Sequence, residues 1–430
     1  MESSPAFRDD ELVAWWRDLH RHAERGWTEF RTSALVADRL EGWGYRVRLG
    51  ADILRPDARM GLPPPDELEQ AYRRALEWGV AESRLAPMRG GFSGAVGTLE
   101  SGRAGPTVAL RFDLDANDGL LESTDTAHHP AQAGFGSINP GSQHSCGHDG
   151  HTAIGLAVAR ALAERRDEWA GRVVMVFQPA EEGARGAQAM VEAGVVDDAD
   201  VLLAGHIGVN ARTVGQIVPG YRGFLASTKW DATFLGRNSH AGYAPHEGHN
   251  ALLAAATATL NLHALARHGG GETRVNVGTL EAGEVRNSIP ARAFMRLEVR
   301  GDSDETHDYM AEHAGDVLRA SAEMHGCRLE QERVGYTATT ASDDALTARV
   351  AEAARQVPGV TEVGGPYDFG AGDDAVLMMK RVQQRGGQAV YLGLGSPVFG
   401  GHHTTTFDFD ERVLVIGAEL FLRVALGCLR

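Results

Sequence analysis

The eight residues from position 144 to position 151 constrain this chain more than any other stretch. They read His-Ser-Cys-Gly-His-Asp-Gly-His, so almost every one can bind a proton or a metal ion, or is a glycine that permits a tight turn. Thiolate and imidazole are both strong ligands of divalent metal ions. We therefore predict that Cys146 and His148 begin a metal site, which other parts of the chain complete.

Charge and hydropathy disfavour several other classes of protein. The 430 residues carry a formal net charge of −16, which argues against nucleic acid or an anionic membrane as a partner. No apolar run approaches the roughly 20 residues that a membrane span needs. The first ten residues lack the basic and apolar regions of a signal peptide. Three scattered cysteines do not indicate a disulfide framework, so a cytoplasmic protein is expected.

A repeated order of strand, polar loop and helix predicts an α/β fold. The apolar runs 107–112, 172–177 and 200–204 are typical of buried parallel strands. They lead into Asp113-Leu-Asp115, into Glu181-Glu182 and into His206. Ligands of open α/β sheets bind beyond the carboxyl ends of the strands. The sequence thus predicts a mostly parallel central sheet that brings these side chains to one edge.

The pattern changes after about residue 215, where a smaller α+β unit is predicted. Strands are expected at 229–235, 273–281 and 291–300, and helices at 250–265 and 304–324. From residue 342 the α/β pattern returns, and the length of the chain also favours two domains. We predict a discontinuous catalytic domain, residues 1–217 and 334–430, interrupted by an inserted domain of residues 218–333.

More metal-binding side chains follow the predicted strands or lie in glycine-rich loops, namely Asp115, Glu182, His206 and His403. Thiolate, imidazole and carboxylate together suit Zn²⁺ or Mn²⁺. With the first motif, this set exceeds what one catalytic zinc takes from a protein, so two ions about 3.5–4 Å apart are predicted. A water molecule between them would become acidic, and Glu181 is the natural general base.

A Cys–His nucleophile pair is the rival chemistry for Cys146. It would use that cysteine and one histidine but would leave Glu181, Glu182, His206 and His403 without a role. A phosphate-binding loop is not visible, because no Gly-x-x-x-x-Gly-Lys-Ser/Thr pattern occurs. The residues alone favour a metal site over thiol catalysis.

Four motifs in chain order resemble the aminoacylase/carboxypeptidase clan of di-metal amidohydrolases. The chain is most similar to the branch that contains auxin-conjugate, hippurate and aminobenzoyl-glutamate hydrolases, and within it to the p-aminobenzoyl-glutamate hydrolase A-subunit subfamily. The clan motifs are His144-Ser-Cys-Gly-His-Asp-Gly-His-Thr-Ala, Phe177-Gln-Pro-Ala-Glu-Glu-Gly, Gly205-His206, and His403 followed by Phe407-Asp-Phe-Asp-Glu. The subfamily segments include Arg59-Met-Gly-Leu-Pro, Gly90-Gly-Phe-Ser-Gly and Met379-Lys-Arg-Val-Gln.

The resemblance implies an exopeptidase-like catalytic domain that holds two divalent metal ions, Mn²⁺ or Zn²⁺, per chain. Glu181 would be the general base and proton shuttle. The implied metal ligands are Cys146, His148, Glu182, His206 and His403, and the residues implied to support them are Asp115 and Asp149.

The resemblance also implies a role for the inserted domain in dimerisation or as a lid. Ser239-His240-Ala241-Gly242 is similar to a segment whose histidine stabilises the oxyanion, often in the partner subunit's site. Asn287 falls at a position near the substrate. A homodimer through this domain is implied, and a second, different hydrolase subunit is a further expected partner.

The expected substrate is a small molecule with an aromatic ring, such as aminobenzoyl-glutamate or another N-acyl amino acid. The subfamily tends to carry basic residues after His240, but residues 243–249 contain no arginine or lysine. His249 and Arg300 remain as candidates for contact with the substrate. An aromatic aminohydrolase that acts on a nitroanthranilate-like ring is therefore an alternative. A non-catalytic metal-binding partner subunit is a third hypothesis, which the presence of Glu181 disfavours.

Overall fold

The computed structural model describes Phe7, residues 9–365 and residues 367–430. The α-helices in this part of the chain are α1 (Asp9–Arg21), α2 (Phe30–Gly42), α3 (Pro65–Glu77), α4 (Glu82–Leu85), α5 (His129–Ala133), α6 (His148–Glu164), α7 (Ala187–Glu192), α8 (Ala251–His263), α9 (Asp304–Met324), α10 (Asp344–Ala354), α11 (Ala375–Gln384) and α12 (Arg412–Cys428). None of them combines the length and the hydropathy that crossing a membrane requires.

The strands of the described part are β1 (Arg46–Arg48), β2 (Ala95–Glu100), β3 (Thr107–Asp113), β4 (Asn117–Asp118), β5 (Ser142–Gln143), β6 (Arg172–Gln178), β7 (Val201–Ile207), β8 (Gln216–Val218), β9 (Tyr221–Arg222), β10 (Ala226–Leu235), β11 (Thr273–Ala282), β12 (Arg292–Gly301), β13 (Arg328–Thr337), β14 (Glu362–Val363), β15 (Tyr367–Asp368), β16 (Gln388–Leu394), β17 (Val398–Phe399) and β18 (Asp408–Phe409).

The chain divides into two compact units. The first contains the residues up to Gly223 together with Thr340–Phe369 and Asp373–Arg430. The second contains Phe224–Thr339 and Gly370–Gly372. All the metal-ligand candidates belong to the first unit, whereas His240, His249, Asn287 and Arg300 belong to the second.

The first unit is built on an eight-stranded sheet with the order β1-β2-β6-β3-β7-β16-β8-β14. Its centre is parallel, because β3 runs parallel to β6 and β7, and β7 runs parallel to β16. Strands β1, β2 and β8 join in antiparallel pairs nearer the edges. The predicted α/β fold with a mostly parallel central sheet is confirmed.

Successive residues of the central strands face opposite sides of this sheet. Val108, Leu110 and Phe112 of β3 join the large hydrophobic core that also includes the apolar side chains of α6 and α12. Arg111, which lies between them, faces the other side. There α11 packs against β7 and β16. The sheet is thus covered by helices on both faces, and its strands are buried.

Helix α6 fixes the start of the metal-ligand motif, because it begins at His148. It is almost entirely buried and packs against α1, α12 and β3. Gly155 allows the close approach of helix and sheet, since a Cβ atom there would lie 2.6 Å from Phe112 Cδ2 and 2.9 Å from Phe177 Cε1.

The second unit is an antiparallel sheet in the order β11-β12-β10-β13, on which α8 and α9 pack. Buried and less buried residues alternate along β12, as in a sheet with one covered face. A capping box starts α9, since the Ser303 hydroxyl accepts from the Thr306 N–H and the Thr306 hydroxyl accepts from the Ser303 N–H. This unit has a core of its own.

One strand of the second unit was not predicted from the sequence. Strand β13 pairs along β10, and its first six residues are charged or polar apart from Leu329 and are mostly exposed. Its edge position explains the weak apolar pattern. The units divide after Gly223 and after Thr339, so residues 334–337, which the sequence assigned to the catalytic domain, lie in β13.

We expect Gly155→Ala to destabilise the first unit. The added methyl group must displace Phe112 and Phe177 from a packed core, which costs about 1–3 kcal/mol. The matched control is Gly427→Ala near the end of α12, where a Cβ atom would meet nothing within 4 Å. That change should leave stability unchanged or raise it by up to about 1 kcal/mol. Urea unfolding of both variants checks this, and equal midpoints would contradict it.

Candidate metal centre and active site

The candidate site residues follow the carboxyl ends of three parallel strands. Asp113, the last residue of β3, lies beside Gln178, the last residue of β6, in the parallel register. Asp115 follows β3, and His206 is the next-to-last residue of β7. The segment from Gln178 to Ala187, called the glutamate loop below, follows β6 and carries Glu181 and Glu182.

Cys146, His148 and His206 come together at this edge. One ligand atom of each lies within 4.8 Å of the other two. The Cys146 sulfur is 3.3 Å from His206 Nε2. Cys146 lies just before α6 and His206 lies at the end of β7, so the parallel sheet and the helix on it bring together residues from distant parts of the chain.

Backbone carbonyls set which ring nitrogen of two histidines is free. His148 Nδ1 lies 2.8 Å from the Asp115 carbonyl oxygen, and His206 Nδ1 lies 2.8 Å from the Ile207 carbonyl oxygen. A carbonyl oxygen only accepts, so each Nδ1 carries a proton and donates it. In the neutral rings Nε2 then keeps a lone pair. His148 Nε2 is buried and has no hydrogen-bond partner among the described residues. This is the arrangement of metal-binding histidines.

A second group of ligand atoms shares Cys146 with the first. Cys146, Glu182 and His403 also have one ligand atom each within 4.8 Å of one another. His403 Nε2 is 3.3 Å from Glu182 Oε1, which is buried without a hydrogen-bond partner in the described part. The His403 N–H donates to the Ser145 carbonyl over 2.8 Å and so ties this histidine to the first motif.

His402, the neighbour of His403, also faces the thiol. Its Nδ1 lies 3.9 Å from the Cys146 sulfur, and its ring lies against His206. Only His403 approaches Glu182 within ion-pair distance. His402 and His403 are adjacent, and this contact favours His403, the histidine predicted from the sequence, as the ligand.

Glu181 lies between the ligand groups on a loop that buried carboxylates hold. Its Oε2 is 3.8 Å from His148 Nε2. The Asp115 carboxylate accepts from the N–H groups of both Glu181 and Glu182, at 2.9 Å each. Glu29 accepts from the N–H of Ala180, which has a φ of +52°. Non-glycine residues rarely adopt that conformation, so the loop is held in its shape by its contacts.

The thiol of Cys146 is set up as an anion. Burial by itself would raise the pKa of this thiol, but the charge of His206 and the hydrogen bonds with His206 and His402 hold the pKa well below its usual range. The thiolate is the form that binds metal ions. The opposite holds for Glu181. Burial and the nearby carboxylates of Asp373, Glu182 and Asp374 raise its pKa well above its usual range.

His151 lies near the site but has no free nitrogen. Its Nδ1 donates to Asp113 over 2.6 Å, and its Nε2 accepts from the Ile207 N–H over 3.0 Å. It holds the ends of β3 and β7 together. Neither His151 nor Glu29 was predicted from the sequence to have a role, although His151 lies one helical turn after His148 on a buried helix, and that spacing was a signal.

Asp149, which was expected to support the metal ligands, contacts His20 of α1. Its carboxylate accepts from His20 Nδ1 over 2.8 Å and from the Gly150 N–H over 2.9 Å. The other ring nitrogen of His20 bonds Glu122 over 2.8 Å. The two buried carboxylates raise the pKa of His20 to about 10 despite the opposing effect of burial. Asp149 therefore anchors the start of α6 through an ion pair with α1.

In the second unit, His240 and Asn287 lie on neighbouring exposed segments. His240 forms an isolated bridge with Ser288, and the Ala241 N–H donates to the Asn287 carbonyl over 3.0 Å. His240 Nδ1 accepts from the N–H groups of Gly242 and Tyr243, at 3.2 and 2.9 Å. The proton of the neutral ring is therefore on Nε2.

The other two substrate candidates are less open. Arg300 forms a two-pronged ion pair with Glu298 on the same strand, with both distances 3.1 Å. An arginine paired in this way has little left to offer a substrate carboxylate. The backbone of His249 pairs with that of Arg237 in an isolated bridge.

Residues 109–427 match the family described as Peptidase family M20/M25/M40. The chain belongs to this family. It is 46% identical over 418 residues to an indole-3-acetyl-aspartic acid hydrolase of Enterobacter agglomerans, covering 97% of this chain and 95% of that protein. It has the same identity and coverage with a protein of Escherichia coli K12 that is named as one subunit of p-aminobenzoyl-glutamate hydrolase.

Solved structures agree with this assignment. An aminobenzoyl-glutamate utilization protein from Klebsiella pneumoniae has a TM-score of 0.84 at 41% identity and covers 97% of this chain and 95% of its own. A dinuclear metal-binding M20 peptidase of Bacillus subtilis shares the fold at 23% identity, with a TM-score of 0.66 and 98% of both chains covered. The family and subfamily resemblance is confirmed, and the chain is a hydrolase that acts on C–N bonds.

We expect Cys146 of the metal-free protein to react with iodoacetamide over a different pH range from the other two cysteines. Because the pKa of Cys146 is held below its usual range, its alkylation rate should fall less steeply than theirs as the pH falls from 8 to 6. Burial raises the pKa of Cys327 and Cys428, so their alkylation should fall about tenfold per pH unit. Peptide mass spectrometry measures the three rates in one chain. Parallel decline at all three cysteines would contradict the assigned thiolate.

Proposed function

We propose that this protein is a di-metal amidohydrolase that cleaves the amide between an aromatic acyl group and an acidic amino acid, as in aminobenzoyl-glutamate. The observation that carries the proposal is the pair of ligand groups that share Cys146, with the Glu181 carboxylate 3.8 Å from His148 Nε2. Two adjoining ligand sets beside a carboxylate are the components of two-metal hydrolysis.

The donor set fits two divalent ions. The proposed ligands are Cys146, His148, Glu182, His206 and His403, and their mix of sulfur, nitrogen and oxygen suits Zn²⁺ or Mn²⁺. Buried atoms without hydrogen-bond partners, such as His148 Nε2 and Glu182 Oε1, support this, because such atoms are costly unless they bind something. When bound, the ions would supply Lewis acidity to the amide carbonyl and would make a water molecule acidic.

Glu181 is proposed as the general base. Its carboxylate would take a proton from the attacking water and pass it to the amide nitrogen as the C–N bond breaks. The two hydrogen bonds from the Glu181 and Glu182 N–H groups to Asp115 fix the backbone on which it acts. Glu181 and Glu182 thus have separate roles on adjacent residues.

His240 is proposed to donate a hydrogen bond from Nε2 to the carbonyl oxygen of the substrate, in its own or a partner subunit's site. The two backbone N–H groups at Nδ1 support this, because they preset the tautomer that carries the proton on Nε2. Such a preset donor stabilises charge that develops on the oxygen without reorganisation. Asn287, joined to this loop through its carbonyl, is proposed to border the same substrate.

The names of two relatives support the substrate class. The compound named in the first is an aromatic acid joined to aspartate, and the compound named in the second is an aromatic acid joined to glutamate. A homodimer through the second unit remains part of the proposal. A second, different subunit is also proposed, because one relative is named as one subunit of its hydrolase. Free cysteines, as in Cys146, Cys327 and Cys428, suit the proposed location in the cytoplasm.

A substrate panel tests the function directly. Purified protein loaded with Mn²⁺ or Zn²⁺ is assayed with aminobenzoyl-glutamate, indole-3-acetyl-aspartate, hippurate and aminobenzoates. We expect release of the free amino acid, with the highest kcat/KM for the aromatic acyl dicarboxylic amino acids. Ammonia release from an aminobenzoate would instead indicate an aromatic aminohydrolase. The observation that favours this alternative is the absence of arginine and lysine, which could bind a substrate carboxylate, from residues 243–249. No turnover of any compound would favour a non-catalytic subunit.

The variant Glu181→Gln tests the general base. We expect kcat to fall by about 10²–10⁴-fold, since the amide cannot accept the proton. Metal content should stay near the wild-type value of two ions per chain. The control is Glu192→Gln, the same chemical change at an exposed position at the end of α7. Turnover that survives in Glu181→Gln would disprove the role, and loss of metal would make Glu181 a ligand instead.

A further inference from the structure

Arg111 lies at the centre of a buried polar network on the α11 face of the sheet, which the proposed chemistry does not use. Its side chain is fully buried. Its Nε donates to Gln178 Oε1 over 2.8 Å and its Nη1 donates to Asp113 over 2.6 Å. Its Nη2 lies 3.4 Å from Asp373 and 3.3 Å from Asp374. One guanidinium thus joins the ends of two strands to the start of α11.

Asp374 receives hydrogen bonds from both ends of the glutamate loop. At the first end, Gln178 Nε2 donates to its Oδ1 over 2.6 Å. At the other end, the N–H groups of Gly186 and Ala187 donate to its Oδ2 over 3.1 and 2.9 Å. Glu181 and Glu182 lie between these two anchor points. A carboxylate without exposed surface therefore closes the loop on which the proposed base is carried.

The amide of Gln178 is fixed at both of its ends. Its oxygen accepts from Arg111 and its nitrogen donates to Asp374. Arg111 and Asp374 also face one another, so the three side chains form a closed ring of hydrogen bonds. Removal of any one member leaves buried donors or acceptors without partners, and such groups are costly.

Arg111 also faces a cluster of three carboxylates in this region. Oxygen atoms of Glu181, Asp373 and Asp374 lie within 4.8 Å of one another. The guanidinium already stands at 3.3–3.4 Å from two of them. It supplies the positive charge that these buried carboxylates require.

We propose that Arg111 and Asp374 are positioning residues, which hold the glutamate loop from beneath so that Glu181 meets the proton of the attacking water. The inference rests on the proposed role of Glu181 as the base. Both side chains are buried, so neither is open to a substrate. Their effect is on the placement of Glu181, and misplacement of a reacting group by about 1 Å can cost about 10²-fold in rate.

The variant Asp374→Asn tests this inference, because an amide presents its NH₂ group to donors that need an acceptor. We expect kcat to fall about 10- to 100-fold, with KM within about twofold and metal content unchanged. Hydrogen–deuterium exchange at residues 181–187 should speed up at least about tenfold, because the single oxygen of asparagine cannot accept both from the Gly186 and Ala187 N–H groups and from Gln178 and Arg111.

The matched control is Asp343→Asn. Asp343 also accepts from a backbone N–H, that of Ala389 at 2.7 Å, and from a glutamine amide, Gln383 Nε2 at 2.9 Å, but these partners lie on β16 and α11 and not in the glutamate loop. It should change stability without changing kcat or the exchange of residues 181–187. If Asp374→Asn does not fold, Gln178→Met replaces it, since this change removes both side-chain bonds of Gln178 with a side chain of similar length.

Unchanged kcat and unchanged exchange in Asp374→Asn, or in Gln178→Met where it replaces it, would overturn the inference. So would equal losses in the Asp343→Asn control, which would show general destabilisation. The exchange measurement needs no substrate. If the wild-type protein turns over no compound of the substrate panel, the proposed function is disproved. The exchange of residues 181–187 would still show whether Asp374 holds the glutamate loop.

Discussion

The two hydrogen bonds from the glutamate loop to the Asp115 carboxylate are the interaction on which the rest of the site depends. Asp115 follows β3, and the two N–H groups belong to Glu181 and Glu182 after β6. The same residue offers its carbonyl to His148 Nδ1. Asp115 thus orients the proposed base, Glu181, and two proposed ligands, Glu182 and His148. The parallel pairing of β3 with β6 makes this contact possible, because it brings both strand ends to one edge.

Much of the site could be predicted because its signals are local. Cys146 and His148 are separated by a single residue, and Glu181 and Glu182 are adjacent after an apolar strand. The three buried strands and their order with helices gave the α/β fold. The family motifs then singled out His403, which the structure brings to Glu182 from the loop between β17 and β18.

Other parts were not predicted, and the physical reason differs from one part to the next. Asp374 bonds the N–H of Ala187 across 187 positions, and nothing near Asp374 in the sequence indicates that partner. Arg300 was expected to be open to a substrate, but the residue two positions before it on the same face of β12 is Glu298, which pairs with it. Strand β13 was missed because an exposed edge strand needs few apolar residues.

Two histidines of the motif from residue 144 to residue 151 differ in the backbone groups that their ring nitrogens contact. The carbonyl of Asp115 takes the Nδ1 proton of His148 and leaves Nε2 with a lone pair. His151 Nε2 accepts a hydrogen bond from the Ile207 N–H, and its Nδ1 donates one to Asp113. These identical side chains, three positions apart, therefore have different roles. His148 is free to bind a metal ion, and His151 holds the ends of β3 and β7 together. Sequence can nominate both histidines, but only the position of the strand ends decides between them.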